Sequence, residues 1–396
     1  MKERYVILRT KDVDLSDPFS GALTASTARH RSSEFTVESR DLDRASVSMV
    51  EQDRHVVGAP SMDLRLIEPT ASEVTAASNN VTWGVDAVGA TDTPFTGSGV
   101  IVAILDTGID ADHPAFQGVD LVQKDFTGEG NGDQNGHGTH VAGTVFGRDV
   151  NGTRIGVARG VERALIGKVL GKEGGGSTEM IVEAINWALT EGANVISMSL
   201  SIDFPGFVKR LTESFGFPVE LATSKALEGY RANTRLLDRL AGLVDARFAK
   251  RGTLLVAASG NESRRDVNPD FEITAGPPAA ADTIVAVGAV GEDDSQAERF
   301  EVAPFSNVGV QVCAPGVGIL SAQTGGGLVA FNGTSMATPH VAGVAALWAE
   351  KLLLETDAID PKVLSNRLIG QATKLVISGD RDPLDIGTGM VQVPRS

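Results

Sequence analysis

The chain has 396 residues, 42% of them hydrophobic and 22% charged, enough to bury one large core and a second smaller one. A formal net charge of −16 argues against a nucleic-acid partner and against anionic membranes. No apolar run approaches the roughly 20 residues that span a bilayer, and the single cysteine, Cys313, rules out an intrachain disulfide.

Residues 1–11 are charged and lack the apolar stretch of a secretory signal, so the expected location is cytoplasmic, with export by another route or after signal removal as the alternative. Residues 1–78 differ in texture from the rest. Residues 5–8 read as a strand, 34–38 and 61–67 alternate like short strands, and 12–31 is polar and turn-rich. Residues 72–80 read as a linker. The expectation is a small N-terminal accessory unit over 1–78, α+β or mostly β.

From residue 79 the pattern changes. Residues 100–105 form a continuous apolar run that ends at Asp106, as in a strand buried on both faces of a parallel sheet. Residues 136–145 open a helix of small residues that contains His137 and His140. A strand is expected at 164–170. A helix follows at 178–191, with Ile181, Ile185 and Leu189 four residues apart and Gly192 at its end. Further strands are expected at 195–200, 254–259 and 283–290.

Strands alternating with helices predict an α/β domain over 79–396, an open, mostly parallel sheet with helices on both faces. Functional groups in such sheets lie beyond the carboxyl ends of the strands. Asp106, Ser199 and Asn261 all fall there. Cys313, at a strand end, reads as a small buried hydrophobe.

Residues 203–251 are long for one crossover. Within them 219–248 is helical, with an apolar stripe of Leu236, Leu237, Leu240, Leu243 and Val244 and a polar side carrying Arg231, Arg235, Asp238, Arg239 and Asp245. This is either a lengthened surface helix laced with ion pairs or an inserted lid or docking element for a protein partner.

Residues 331–340 are rich in Gly, Ser and Thr and lead into a small, apolar, buried helix. Ser335 therefore stands at the positive end of a helix dipole, where negative charge is stabilised. A serine there is commonly an N-cap. It becomes a candidate nucleophile because the chain also holds an orienting acid (Asp106), a base (His137) and an amide donor (Asn261), each in a glycine-rich setting. Alone, each has a plainer reading as a turn former, a cap or a packed histidine.

These stretches are similar to those of the subtilases, the subtilisin-like serine proteases. Three long motifs carry the resemblance: Ala103-Ile104-Leu105-Asp106-Thr107-Gly108, Asn135-Gly136-His137-Gly138-Thr139-His140, and Asn332-Gly333-Thr334-Ser335-Met336-Ala337-Thr338-Pro339-His340. Two shorter ones support it: Ser197-Met198-Ser199-Leu200-Ser201 and Ser259-Gly260-Asn261-Glu262. The resemblance implies a serine endopeptidase acting on polypeptides through an acyl-enzyme, with no cofactor needed for the chemistry. A partner-specific regulatory protease and a catalytically silent peptide binder are the alternatives.

By resemblance Asp106 orients His137, His137 is the general base and acid, Ser335 attacks, and Asn261 donates to the oxyanion. Ser199, Leu200 and Ser201 resemble the edge strand that pairs with the substrate backbone. Gly260 and Gly276 join the substrate-binding set, and Gly276-Pro277-Pro278 resembles a pocket floor with a cis bond at Pro278. Glu262 suggests a preference for a basic residue just before the scissile bond.

Relatives often hold calcium in the loop that is here 147–155. In this chain Arg148 and Arg154 have entered it, and Ala115 replaces a family aspartate. No metal ligand is assigned. The acidic turn 125–133, with Glu129, is read as solvated, with cation binding as the alternative. The N-terminal unit lies where the family has a prosegment, with 61–69 as a tail into the cleft and cleavage expected between about residues 68 and 80. His113, His140 and His340 read as packed structural groups. His30 and His55 fall in the weakly patterned N-terminal part.

Overall fold

In the computed structural model, which describes residues 2–10, 35–72, 80–247, 252–293, 295–296, 299–378 and 382–395, the first apolar run becomes the strand Ile101–Asp106 near the middle of an eight-stranded sheet. Arg163–Lys168 and then Asp120–Asp125 lie to one side of it. Val195–Met198, Leu254–Ala258 and Val285–Glu292 lie to the other. All of these pairings are parallel. Val312–Pro315 pairs in parallel with Val285–Glu292, and Phe300–Val302 pairs antiparallel with it.

The unbroken apolar character of the central strand follows from burial on both faces. Val102 and Ile104 enter one core, and Ala103 and Leu105 enter the other. The helices His137–Phe146 and Thr334–Thr356 cover the first face, and Thr178–Thr190 and Val219–Arg247 cover the second.

The chain order across the sheet reverses beside Ile101–Asp106, because its successors go first to one side and then to the other. Such a switch point opens a crevice beyond the carboxyl ends of its strands. Asp106 closes one of these strands, and Ser199 directly follows the neighbouring one.

The N-terminal unit is α+β. Its antiparallel sheet has the order Phe35–Leu42, Glu3–Thr10, Val56–Pro60. The helix Arg44–Gln52 packs on it, capped by Asp43, whose carboxylate accepts from the Ser46 N–H at 2.9 Å. Sequence patterning misses this helix because its inward apolar side is thin, carried by Val47 and Val50. The expected strand at 61–67 forms as Asp63–Leu66, but it leaves this sheet and enters the crevice. The readings of 12–31, of His30 and of most of the linker lie outside the described residues.

The insertion holds two helices, not one. Phe204–Glu213 precedes Val219–Arg247 and is capped by Asp203. Pro205 and Gly206 look like turn residues in the sequence. Here they occupy the first helical turn, where proline has no needed N–H to lose. Leu236, Leu237 and Leu240 are buried as the stripe requires. The side chains of Leu243, Val244 and Asp245 lie outside the described residues.

The insertion carries the N-terminal unit. Asn233 Nδ2 donates to Pro60 O at 2.9 Å, Arg210 pairs with Asp63 at 2.7 Å, and Lys225 faces Glu3 at 3.5 Å. Arg4 adds a 2.7 Å pair to Glu179 on the adjoining helix. No helix among the described residues is long and apolar enough to cross a membrane.

Candidate active site

Asp106 Oδ1 lies 2.7 Å from His137 Nδ1, and both side chains are only 1% exposed. The same carboxylate oxygen accepts from the Thr107 N–H at 2.8 Å. A carboxylate facing Nδ1 keeps the proton there and leaves Nε2 as the basic nitrogen. Nε2 is buried and has no hydrogen-bond partner among the described residues.

Glycines bring the strand end against the helix start. A Cβ on Gly138 would sit 2.2 Å from Gly108 O, and one on Gly108 (φ +111°) would sit 2.3 Å from Gly132 O. Asp133 ties the approach together. Its Oδ1 accepts from Thr107 Oγ1 and the N–H groups of Asn135 and Gly136, and its Oδ2 accepts from the N–H and Oγ1 of Thr139. The sequence reading saw Asp133 only as part of an acidic turn. Its place four residues before His137, in an Asp-x-Asn-Gly turn, was the available signal.

Ser335 is the second residue of the helix Thr334–Thr356 and is fully buried. Its Oγ donates to Ile67 O at 3.0 Å. Asn261 lies just past the strand Leu254–Ala258, and its orientation is set by its acceptor end. Oδ1 accepts from both the N–H and the Oγ1 of Thr334, each at 2.9 Å. Nδ2 is thereby turned into the crevice, where it donates to Glu68 O at 3.0 Å. Gly260, at φ +115°, supports this corner through its own N–H, which donates to Thr334 Oγ1 at 3.2 Å.

Residues 63–71 run through the crevice in extended form. Asp63–Leu66 is a middle strand. It pairs antiparallel with Leu200–Ile202 on one side (Leu66 with Leu200, Arg65 with Ser201) and with Gly175–Ser177 on the other. Leu66 N–H donates to Gly174 O at 2.8 Å, and Ile67 N–H donates to Ser199 O at 3.4 Å. Past Ser335, Thr70 and Ala71 pair with Asn332 and Phe331.

Ser199, Leu200 and Ser201 thus line the segment together, whereas Gly276 stands behind Ser201, its would-be Cβ 2.6 Å from Ser201 Oγ. The Pro277–Pro278 bond is cis. The wall made by residues 174–177 was not singled out from sequence, although its three consecutive glycines were visible. Leu64 lines a small cavity together with Ile181, Val182, Leu237 and Pro278. Glu262 also lies against this segment. It pairs with Arg65, two residues before Ile67.

The loop 147–155 does not fit calcium, because its two guanidinium groups bring positive charge into it and bind carbonyls that flank it. Arg148 donates to Phe146 O and Val161 O at 3.0 and 2.8 Å, and Arg154 to Gly156 O and Val157 O, each at 3.3 Å. Burial lowers the Arg154 pKa to about 10.

The acidic turn is less solvated than expected. Asp133 is buried, and the buried Lys168 ammonium lies 3.3 Å from Glu129 and near Gly132 O and Gln134. Asp125 accepts from Thr127 and Gly130 within the turn. Among the described residues no cluster of three metal-ligating side chains occurs.

Three other histidines, His113, His140 and His340, are packed and bonded. His113 Nε2 meets Gly327 O, His140 Nε2 meets Ile319 O, and His340 Nδ1 meets Met336 O. Burial lowers the pKa of His140 to about 3 and that of His340 to about 4. Cys313 is fully buried, which pushes its thiol far above the ordinary range.

Comparison with known proteins gives the family. Residues 97–385 match the Subtilase family. Subtilisin DY of Bacillus licheniformis is 36% identical over 305 residues, 76% of this chain and 91% of that one. The intracellular serine protease of Paenibacillus polymyxa is 34% identical over 303 residues, 74% of this chain and 79% of its own. M-protease of Shouchella clausii (strain KSM-K16) is 33% identical over 302 residues, 73% of this chain and 67% of its own. By this match over most of its length, together with the doubly covered parallel sheet, the chain belongs to the subtilase family and is a subtilisin-like serine endopeptidase.

Proposed function

We propose that Ser335 is the nucleophile, His137 the general base and then acid, Asp106 its orienting partner, and Asn261 the side-chain donor to the oxyanion. His137 Nε2 takes the Ser335 proton as Oγ attacks the peptide carbonyl, and returns it to the departing amine. Water then attacks the acyl-enzyme by the same route. The chemistry draws on side chains and N–H groups alone.

The observation that carries this reading is the seating of residues 63–71. They lie in the crevice as a polypeptide substrate would, joined by main-chain hydrogen bonds on both sides, with two successive carbonyls delivered to Ser335 and Asn261.

The same seating supports residues 1–78 as an inhibitory prosegment. Ser335 Oγ meets the Ile67 carbonyl, while Asn261 Nδ2 is engaged by the next one, that of Glu68. Attack needs nucleophile and oxyanion donor at one carbonyl, so the segment as seated covers the site uncut, and cutting needs a shift of one carbonyl or a second enzyme molecule.

The test is to incubate the full chain and its Ser335→Ala variant, sequence the new N-termini and assay peptide hydrolysis. A cut between about residues 68 and 80, and hydrolysis, are expected only with Ser335. A variant still cut there on its own sinks self-processing, and one that still hydrolyses peptides sinks the assignment of the nucleophile.

A further inference from the structure

The crevice segment carries one cation, Arg65, and two carboxylates meet it. Arg65 Nη2 lies 2.6 Å from Glu262 Oε1, and its Nε lies 3.8 Å from Asp203 Oδ1. Neither carboxylate is a loose surface group. Glu262 Oε2 accepts from Nδ2 of the buried Asn307 at 2.7 Å, and Asn307 Oδ1 accepts from the N–H groups of Glu262 and Ser263 at 3.1 and 3.0 Å. Asp203 accepts from the Gly206 N–H at 3.1 Å as the cap of its helix. Acceptors fixed in this way lose little freedom when a ligand arrives. The nearby cations have partners of their own: Arg264 faces Asp266 at 3.3 Å, and Arg210 faces Asp63 at 2.7 Å.

Strand register decides which ligand side chain reaches this pair. Leu64 and Leu66 are buried, and Arg65 between them turns the other way, as alternation requires. Arg65 is held opposite Ser201 on one side and Gly175 on the other. Any chain bound in this register presents the corresponding side chain to Glu262 and Asp203.

We propose that Glu262 and Asp203 form an acidic subsite that selects an arginine or lysine two residues before the residue whose carbonyl meets Ser335. The proposal deepens the proposed function and rests on its reading that residues 63–67 lie as a substrate does. The three side chains are 28–41% exposed, so the selectivity is modest, about 5- to 10-fold in kcat/KM.

The test uses quenched peptides built on residues 63–67 and continued with alanines, carrying Arg, Lys, Gln or Glu at the position of Arg65. Rates of the full-chain protein are normalised to the Ser335 labelled by a fluorophosphonate. Cleavage after the isoleucine is expected, with Arg and Lys about 5- to 10-fold above Gln and with Glu lowest. Joint Glu262→Gln and Asp203→Asn substitution should level the series without moving the cut, and Glu262→Lys should favour the Glu peptide.

Equal kcat/KM for Arg, Gln and Glu, with the cut unmoved, overturns the subsite and leaves the reading of the crevice intact. Cleavage at another bond, or none by labelled protein, overturns that reading and the subsite with it. A second measurement stays within the full chain. Arg65→Glu should raise the labelling rate of Ser335 about 5-fold or more, and adding Glu262→Lys should reverse it; a double variant that labels as fast as Arg65→Glu contradicts the pairing.

Discussion

Ser335 Oγ donates its hydrogen bond to the carbonyl of Ile67, 268 residues earlier in the chain. The proposed nucleophile is therefore held by the same polypeptide it belongs to, and Nε2 of His137, the proposed base, is buried without a partner among the described residues. Two consequences follow for the chemistry and two for stability.

The first concerns Asn261. Its Nδ2 reaches the crevice because Oδ1 is held twice by Thr334. Asn261→Ala should lower kcat by about 10²–10³, the range found for such donors in this family, with little change in KM. Thr334→Val, which leaves the backbone bond but removes the hydroxyl, should lower kcat by about 10-fold. Steady-state kinetics on one peptide substrate measures both. Equal kcat for wild type and Asn261→Ala would contradict the assignment.

Asp106→Asn keeps the shape of the buried pair but presents His137 Nδ1 with a donor or a neutral acceptor. The wrong tautomer is then favoured, and kcat at neutral pH should fall by about 10⁴. Circular dichroism should be unchanged. A loss below about 10-fold would mean that His137 is not the base.

The parallel sheet and the candidate site residues were legible because they rest on local rules. An apolar run ending in Asp106, a small-residue helix opening at His137 and a helix start at Ser335 each announce themselves within ten residues. What was not legible depends on contacts between distant residues. Nothing near Glu262 says that it faces Arg65, and nothing near Asp133 says that five donors converge on it. The helix Phe204–Glu213 was hidden by Pro205 and Gly206, and the Arg44–Gln52 helix by a sparse apolar face. The seating of residues 63–71 in the crevice is the largest of these contacts. The alternation of Leu64 and Leu66 predicted a strand, and the position of the N-terminal unit ahead of the protease domain suggested the place.

Calcium provides a third test. With Arg148 and Arg154 on the carbonyls that flank the loop, chelation by EDTA should move Tm by no more than about 1 °C, less than the 2–4 °C that 1 kcal/mol makes in a domain of about 150–250 residues. Arg154→Ala leaves two buried carbonyls without these donors and should cost about 1–3 kcal/mol. A fall of many degrees on chelation, reversed by calcium, would show that a metal supports the fold elsewhere.

Acid stability is the fourth. His140 and His340 are held neutral by burial, with pKa values near 3 and 4 against an ordinary 6.5. Below pH 6.5 the unfolded chain binds the extra protons, so stability present above that pH is lost as pH falls toward 4 and then 3. Each histidine contributes a slope of at most about 1.4 kcal/mol per pH unit. Urea unfolding between pH 7 and 4 should show this limb, and His340→Asn should flatten it by about one proton. An unchanged slope would contradict the burial argument.

The most direct test of the central claim is the rate at which a fluorophosphonate labels Ser335 before and after the N-terminal unit is removed. If residues 63–71 cover the nucleophile as the Ile67 and Glu68 contacts indicate, the intact chain should label slowly and the cleaved protein at least about 10-fold faster, with no labelling in Ser335→Ala. Equal rates for the intact and cleaved proteins would contradict it.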